Sequence, residues 1–550
     1  MVSNKAALDA ASAPVQLLFQ RAGALHDSGE LEEAKALCCA ILKQQPEHVE
    51  ALNRLGTIIG QSGDLKLAVQ VFRRAIVIDP SHVAATYNRG IAFYNLRQFE
   101  AALLHYDRVI ELSPDFAQAY FSRGNVLRDL GRLPAARASF ERALRLRNDD
   151  VEYLVNFGNV LRDLGHFEAA LEQYEKAIVA REDCAEAYQC RAVVLMELQR
   201  IPAALESLEC ALSLRPDFAE AHCSKAYALL LAGDFERGWS EYEWRRQDPH
   251  SPLCKDARHF SRPLWLGEHS ISGRTLLLHS EQGLGDTLQF CRYAKVVSDL
   301  GARVVLEVPA PLVRLLSNLE GVSQIVARGA SLPEFDHECS LMSLPRALQT
   351  TLATVPDRVP YVRSSVERQR YWNGMLGART KRRVGLAWSG GVRPHQPELA
   401  AVNARRNIPL AQLAPLRHPE IEFYSLQKGQ PAESELTALA AAQWDGPEIR
   451  DHTGELHDFL DTAALIESLD LVISVDTSIA HLAGALGKPV WLLNRYDTCW
   501  RWMTNRADSP WYPTMKIYRQ SRPGDWGSVV EAVAGDLTLL AREQLARQGT

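Results

Sequence analysis

The segment AQAYFSRGNVLRDLGRLPAARASFERALRLRNDD (residues 117–150) is one unit of a 34-residue period. A small residue recurs at the eighth position of each unit, in the series Ala22, Gly56, Gly90, Gly124, Gly158, Ala192 and Ala226. A second series of small residues starts at Ala34, and a series of mostly bulky residues starts at Cys38. Both series repeat every 34 residues. Seven units fill residues 15–252 without an insertion, so the sequence predicts a stack of like elements.

Each unit has the composition of a helix pair. A small residue on the first helix lets the second helix approach closely, and a bulky residue such as Phe140 fills the space between pairs. Glycines such as Gly131 supply the turn between the helices, and prolines such as Pro114 end the second helix. This pattern resembles the tetratricopeptide repeats, whose period is also 34 residues. The resemblance implies an α-solenoid whose first helices line a concave groove.

Polar residues gather on the predicted first helices of the middle units. The string NVLRDLG occurs at 125–131 and again at 159–165. The candidate groove residues are Asn88, Asn125, Asn156, Asn159, Arg128 and Arg162. An asparagine amide both donates to and accepts from a peptide backbone, so these rows suit an extended polypeptide. For any single residue, an ordinary solvated helix face is the alternative.

The overall composition limits the class of protein. The chain has 550 residues with 61 basic and 67 acidic side chains, and its net charge of −6 argues against nucleic acid as a partner. No apolar run is long enough to span a membrane, and the first residues lack the apolar core of an export signal. Ten scattered cysteines without a C-x-x-C pair are typical of a reducing compartment. We therefore expect a cytoplasmic protein.

After residue 252 the period stops, and short apolar runs alternate with amphipathic stretches. TLLLH (275–279), RVVLEV (303–308) and LVISVD (471–476) are examples of the predicted strands. Such alternation predicts doubly wound parallel sheets. The predicted fold class is α + α/β, a solenoid followed by two Rossmann-like units, which by analogy is the GT-B architecture. The predicted domains are the repeats at 15–252, an acceptor-side unit at 260–375 and a donor-side unit at 380–550.

The first predicted strand runs into HSEQGLGDTLQF. Gly283 and Gly285 make a tight turn at the carboxyl end of that strand, where open α/β sheets bind their ligands. Asp286 then begins a helix and faces the predicted cleft, although a plain helix cap is the alternative. The turn is not the G-x-G-x-x-G fingerprint, and no acidic residue closes the next strand at Val308, so a dehydrogenase is disfavoured.

A second motif, DTSIAHLAGALGKPV, begins at Asp476. Asp476, Thr477 and Ser478 lie at a strand end and a helix start, where hydroxyls and free N–H groups make an anion site. His481 follows one turn later on the same side of the helix. A diphosphate is the natural ligand, and a capped helix with a surface histidine is the alternative.

Together, GLGD and DTSIAHLAGALGKPV resemble the heptosyltransferase-like glycosyltransferases of family 9, over most of residues 270–550. The resemblance implies that Asp286 acts as the base on the acceptor hydroxyl. It also implies that residues 476–481 hold the donor diphosphate, and that transfer is a single, inverting displacement. Ser478 stands where the family often has glycine. Repeats followed by such a domain are similar in layout to protein O-GlcNAc transferases and bacterial flagellin glycosyltransferases.

Further residues are candidates for binding the donor. Lys428 follows a predicted strand and could neutralise a diphosphate, although a solvated loop lysine is the alternative. Trp500 and Arg501 follow the last predicted strand, where Trp500 could stack on a base or sugar or pack in the core. No D-x-D pair ends a strand, and His337 with Cys339 lacks a second ligand pair, so we expect neither a metal nor a resident cofactor.

These motifs predict a glycosyltransferase that moves a sugar from a nucleotide-sugar donor to an acceptor. The repeats predict that this acceptor is a protein. Two alternatives stay open on the sequence alone. One is a catalytically silent scaffold or sugar-nucleotide-binding adaptor, and the other is a transferase that acts on a lipid-linked glycan.

Overall fold

The computed structural model describes residues 14–251, 254, 258, 260–391, 400–441 and 444–548. Its packing divides the chain into two compact units, Met1–Cys190 and Arg191–Thr550. Fourteen consecutive helices come first in the described residues, and they confirm the predicted α-solenoid. They are α1 Val15–Asp27, α2 Leu31–Gln44, α3 Val49–Gln61, α4 Leu65–Ile78, α5 Val83–Asn95, α6 Phe99–Leu112, α7 Ala117–Asp129, α8 Leu133–Leu146, α9 Val151–Asp163, α10 Phe167–Ala180, α11 Ala185–Glu197, α12 Ile201–Leu214, α13 Ala219–Ala232 and α14 Phe235–Tyr242.

The recurring small residues are explained by contact inside each helix pair. A Cβ atom added to Gly124 would lie 2.7 Å from the ring of Phe140, so the ring fills the space that any larger side chain would need. Gly131 takes the left-handed turn between helices with φ +71°. Arg97 and Gln199 adopt φ 58° at the corresponding turns of units that lack the glycine. The turn geometry is therefore kept even where its preferred residue is absent.

The rest of the chain forms two sheets in which every strand pair is parallel. The first has the order β3-β2-β1-β4 and the second the order β10-β9-β8-β5-β6-β7. The strands are β1 Thr275–His279, β2 Arg303–Val308, β3 Val322–Ala327, β4 His337–Ser340, β5 Arg382–Ala387, β6 Ile421–Ser425, β7 Ile449–Arg450, β8 Leu471–Val475, β9 Val490–Asn494 and β10 Met515–Arg519. The α-helices among them are α15 Leu284–Phe290, α16 Tyr293–Asp299, α17 Val313–Leu316, α18 Leu344–Ala347, α19 Val366–Leu376, α20 Ala400–Arg406, α21 Ala432–Ala441, α22 Phe459–Glu467, α23 Ser478–Ala485 and α24 Trp526–Gln548. This confirms the predicted α + α/β class with two Rossmann-like units.

One helix expected from the sequence is broken into two. The stretch from Asp286 to Gly301 reads as a single helix, but α15 ends at Phe290 and α16 starts at Tyr293. The break turns Arg292 inward, where it donates hydrogen bonds to the carbonyls of Pro356 at 2.8 Å and Trp511 at 2.6 Å. Two carbonyls far along the chain therefore override the local helical pattern.

The last helix pair is packed into the α/β part of the chain. Trp239 of α14 lies edge-on to Trp500 at a ring-centroid distance of 5.2 Å and to Phe290 at 6.2 Å. Tyr242 and Trp511 complete this aromatic cluster. Because these rings bury one another, the packing boundary falls inside α11, at residues 190 and 191, ahead of the end of the sequence period.

Two features are absent from the residues that the structure describes. In those residues, no helix has both the length and the apolarity that a membrane crossing requires. No group of three or more His, Cys, Asp or Glu side chains among them could hold a metal ion. His337 lies on β4 with its Nε2 atom 3.4 Å from that of His269, and Cys339 is buried on the same strand.

Candidate active site

A cleft of about 640 Å³ lies among loops that follow strands of both sheets. Because parallel strands place their carboxyl ends on one edge, this is the edge where open α/β sheets bind ligands. The segments that follow the strands and line the cleft are 282–286 after β1, 389–391 after β5, 426–428 after β6, 476–479 after β8 and Arg495 after β9. Every predicted donor-side residue except Trp500 lines this cleft.

Asp286 occupies the third position of α15. Its Oδ2 atom accepts the N–H of Gly283 at 2.9 Å, which makes it a helix cap as well as a cleft residue. Its Oδ1 atom pairs with the guanidinium of Arg501. The carboxylate is therefore held at both oxygens, and it keeps a side-chain exposure of 22% toward the cleft.

Arg501 is a buried cation whose contacts fix its position. Its Nε atom donates to the side-chain oxygen of Gln289 at 2.9 Å, and its Nη1 atom lies 3.2 Å from the sulfur of Cys499. Burial alone would lower the pKa of Arg501, but the nearby carboxylate of Asp286 raises it above its ordinary value. Arg501 therefore stays protonated and positions Asp286.

The start of α23 presents backbone donors to the cleft. Thr477 is the N-cap residue with extended backbone geometry, and its side chain makes no capping bond. Its hydroxyl lies 3.1 Å from the Ser474 hydroxyl instead. The N–H groups of Ser478 and Ile479, at the first helical positions, have no acceptor within the residues that the structure describes. Unclaimed N–H groups at the positive end of a helix are suited to an anion.

His481 lies beneath this helix start and is only 4% exposed. Its Nδ1 atom is 2.9 Å from the hydroxyl of Tyr512, and its Nε2 atom is 4.0 Å from a carboxylate oxygen of Asp476. Burial lowers the pKa of His481 to about 4. The ring is thus neutral near pH 7, and it supports the helix start through the Tyr512 contact rather than through a charge.

Gly285 is required by the contact between α15 and α23. A Cβ atom added there would lie 2.9 Å from the ring carbon Cδ2 of His481 and 3.5 Å from the Cα atom of Ser478. A side chain at Gly285 would push apart the two helices that carry Asp286 and the anion site. The glycine therefore sets how closely those two groups approach each other.

Basic side chains line the opposite wall. Lys428 donates to the carbonyl of Leu456 and has no carboxylate partner within the described ranges. Arg406 also lines the cleft, and it donates to the side-chain oxygen of Asn403 at 2.6 Å. Its neighbour Arg405 is instead paired with Glu197 and Asp497, each at 2.9 Å. Residues 392–399, which precede α20, lie outside the described residues.

Trp500 does not serve the donor site. It is 5% exposed and packs in the aromatic cluster with Trp239, while Arg501 next to it turns toward the cleft. The prediction that Trp500 stacks on a base or sugar is therefore wrong. Trp500–Trp502 form a short 3-10 helix, so the side chains of Trp500 and Arg501 face different surroundings. Sequence alone does not reveal which of the two faces the cleft.

The predicted groove residues lie on the first helices of the repeats, and most of them are engaged with other residues of the repeats. Asn88 donates to the side-chain oxygen of Asn53 at 3.0 Å. Asn159 accepts from the hydroxyl of Tyr174 at 2.9 Å. Asn156 bonds to the carbonyl of Glu152 in its own helix at 2.9 Å. Part of this polar row therefore stabilises the solenoid.

The two arginines of the row share one carboxylate. Arg128 lies 3.4 Å and Arg162 lies 3.1 Å from Asp163. Asn125, by contrast, makes no side-chain hydrogen bond in the part of the chain that the structure describes. Asn125 is thus the groove candidate whose amide has no partner among the described residues.

Residues just before the glycine turn form a network that the sequence did not indicate. Buried Arg245 donates to Glu281 at 2.7 Å and to the hydroxyl of Ser343 at 2.7 Å. The hydroxyl of Tyr242 accepts from the side-chain amide of Gln282 at 2.9 Å, and Gln282 lines the cleft. The end of the last repeat therefore holds the loop that leads to Asp286.

Comparisons with known proteins agree with this architecture. The description "Tetratricopeptide repeat" matches residues 19–83, 87–151 and 191–252, and "TPR repeat" matches 158–199. "Glycosyltransferase family 9 (heptosyltransferase)" matches residues 429–507, a range that includes the anion site. The chain thus carries tetratricopeptide repeats in its N-terminal region and a glycosyltransferase family 9 domain toward its C-terminus.

Individual relatives are more distant. Protein FlbA of Caulobacter vibrioides is 29% identical over 337 residues, covering 56% of this chain and 53% of FlbA, so the chain spans about half the length of that curated relative. Among solved structures, the repeat protein YrrB matches at a TM-score of 0.31 and 21% identity, over 34% of this chain and 97% of its own. A repeat protein from Parabacteroides merdae matches at a TM-score of 0.38 and 18% identity, over 44% of this chain and 96% of its own.

Proposed function

We propose that this protein transfers a sugar from a nucleotide-sugar donor to a polypeptide acceptor recruited by the repeats. The observation that carries the proposal is the opposition of charges in the cleft. Unclaimed N–H groups at Ser478 and the cation of Lys428 suit a diphosphate, and Asp286 suits an acceptor hydroxyl. The match to glycosyltransferase family 9 over the anion site supports the same reading.

The proposed reaction is one displacement at the anomeric carbon. The acceptor oxygen bonds to that carbon as its proton passes to Asp286, and the bond to the diphosphate oxygen breaks. The leaving electron pair and charge go to the diphosphate. The N–H groups of Ser478 and Ile479 and the ammonium of Lys428 stabilise that charge. Because the base and the leaving group flank the sugar, we propose inversion of configuration.

Arg501 is assigned a positioning role in this scheme. It holds one oxygen of Asp286 while the N–H of Gly283 holds the other, so the carboxylate cannot rotate away from the acceptor. Each oxygen keeps a lone pair for the incoming proton. Transfer is proposed to be independent of metal, since Lys428 and Arg406 supply positive charge where D-x-D enzymes use a cation.

A donor screen tests this proposal against a silent adaptor or a plain scaffold. Thermal stabilisation of the full chain is measured with a panel of nucleotide sugars, and a ligand at one hundred times its Kd stabilises by about 2.7 kcal/mol. Transfer is then assayed with the preferred donor. Binding without transfer to any peptide or glycan would favour the adaptor. Transfer only to lipid-linked glycans would reject the polypeptide acceptor.

A further inference from the structure

Tyr227 continues a row that the middle repeats fill with asparagine. It lies 34 residues after position 193 and 68 after Asn159, so it shares the repeat position of Asn125 and Asn159. It stands on α13, the first helix of the last repeat, and its side chain is 41% exposed. An exposed aromatic ring on this face is unusual in a row whose other members are polar or aliphatic.

The change to tyrosine is coupled to a change of hydrogen-bond partner. In the fifth unit, Tyr174 donates its hydroxyl to Asn159 at 2.9 Å. In the seventh unit, the corresponding Tyr242 meets the Tyr227 ring at a centroid distance of 5.8 Å. The Tyr242 hydroxyl instead accepts a hydrogen bond from the side-chain amide of Gln282 in the cleft loop at 2.9 Å.

Gln282 presents a polar edge beside the glycine turn. Its Nε2 atom is used by Tyr242, and its Oε1 atom accepts no hydrogen bond from the residues that are described. Gln282 lines the cleft one residue before Gly283. The oxygen is therefore oriented by a fixed partner and available to accept an N–H group.

The helix that carries Tyr227 is also close to the segment that carries Arg501. Helix α13 contacts the segment Trp500–Trp502 that carries Arg501, the partner of Asp286. A ligand lying on Tyr227 would thus reach the mouth of the cleft.

We propose that Tyr227 and Gln282 form an acceptor subsite for an extended polypeptide at the mouth of the cleft, which rests on the proposed function. The ring takes an apolar or aromatic side chain, and the Gln282 oxygen accepts a backbone N–H next to the modified residue. Arg245, which lies next to Tyr242, and Arg501 are already paired with Glu281 and Asp286. These two paired guanidinium groups are therefore less suited to the phosphates of a lipid-linked glycan than the ring and the amide are to a polypeptide.

The test measures peptide binding directly, without donor. Random 12-residue peptides are selected on the full chain, and the affinity of selected peptides is compared among variants. Tyr227→Ala and Gln282→Leu should each weaken binding about tenfold, and Tyr227→Phe should keep it, because the ring supplies the contact. Leu214→Ala is the matched control, since Leu214 is an exposed apolar residue of the preceding unit at 43%.

Each outcome decides the proposal. Peptides that bind Tyr227→Ala as tightly as the parent chain would overturn it, as would failure to select any peptide. Weakening by only one of the two substitutions would overturn the two-residue subsite. Melting temperature and nucleotide-sugar affinity of each variant report whether the fold and donor site survive. If no nucleotide sugar binds the parent chain, the proposed function fails. The peptide affinities still show whether Tyr227 and Gln282 form a peptide-binding subsite.

Discussion

Asp286 and Arg501 lie 215 residues apart in the sequence and form an ion pair at the cleft. Asp286 belongs to the Rossmann-like unit of the first sheet, and Arg501 to that of the second. The position of the proposed base is therefore set by both units together. If the packing of these two Rossmann-like units changed, we expect the Asp286 carboxylate to shift more than the backbone N–H groups of α23.

We expect Asp286→Asn to reduce transfer by about 10² to 10⁴ while donor affinity stays nearly unchanged, because an amide keeps the shape but takes no proton. Steady-state transfer and calorimetric donor titration measure the two effects. Asp64→Asn is a matched control, because Asp64 caps α4 by accepting from Leu67 at 3.0 Å. Full turnover in the Asp286 variant would reduce this residue to a helix cap.

We expect Ser478→Asp to abolish donor binding and Ser478→Gly to preserve it. A fixed carboxylate would repel the diphosphate and cover the free N–H groups, although it would still favour the helix start. Glycine leaves the backbone donors open. Calorimetric titration with the preferred nucleotide sugar compares the variants. Equal affinity for the aspartate variant would mean that the diphosphate binds elsewhere.

The depressed pKa of His481 predicts a loss of stability in acid. Its folded pKa of about 4 lies below the ordinary 6.5, so the unfolded chain binds the proton first as pH falls. This contribution is fully present above pH 6.5 and is lost between pH 6.5 and 4, by at most about 1.4 kcal/mol per pH unit. We expect His481→Gln to flatten that dependence in denaturant titrations.

The control for this prediction uses the distribution of tryptophan. All 11 tryptophans lie after residue 190, so their fluorescence reports the unit Arg191–Thr550. Burial also lowers the pKa of His105 to about 4, in the other unit. His105→Gln should leave the tryptophan-monitored pH dependence unchanged. An unchanged slope in the His481 variant would show that its ring is not buried as a neutral group.

We expect a chain that starts at residue 185 to bind donor and one that starts at 253 to fail. The shorter chain lacks Trp239 and Arg245, which exposes the aromatic cluster and leaves Glu281 without its buried partner. Breaking such a buried pair costs about 3–5 kcal/mol. Thermal melting and donor titration compare the two chains. Equal stability would show that the last repeat is separable.

Much of the fold could be predicted because it depends on patterns that are local in the sequence. The 34-residue period and the glycine turns reflect contacts between residues that are close in the sequence, and the apolar strands stand out as continuous runs. The short strand β4 was missed, because four residues, HECS, carry no recognisable alternation. It forms a strand because β1 offers it an edge for pairing.

The site was predicted less completely because its details depend on distant partners. Asp286 and Ser478 were found from the turns that place them. The inward turn of Trp500, the pairing of Arg501 and the bond from Gln282 to Tyr242 each depend on a group far away in the sequence. The spacing of residues within one segment of the sequence does not indicate contacts with a distant segment.

The burial of the last helix pair among the rings of Phe290, Trp500 and Trp511 has a consequence for engineering and for divergence. Whole units can be added, deleted or exchanged ahead of residue 185 without touching the cleft, since each repeat contacts mainly its neighbours. The seventh unit has no such freedom. A chimaera that keeps residues from 185 onward should accept a foreign array and acquire a new range of partners while retaining its own donor.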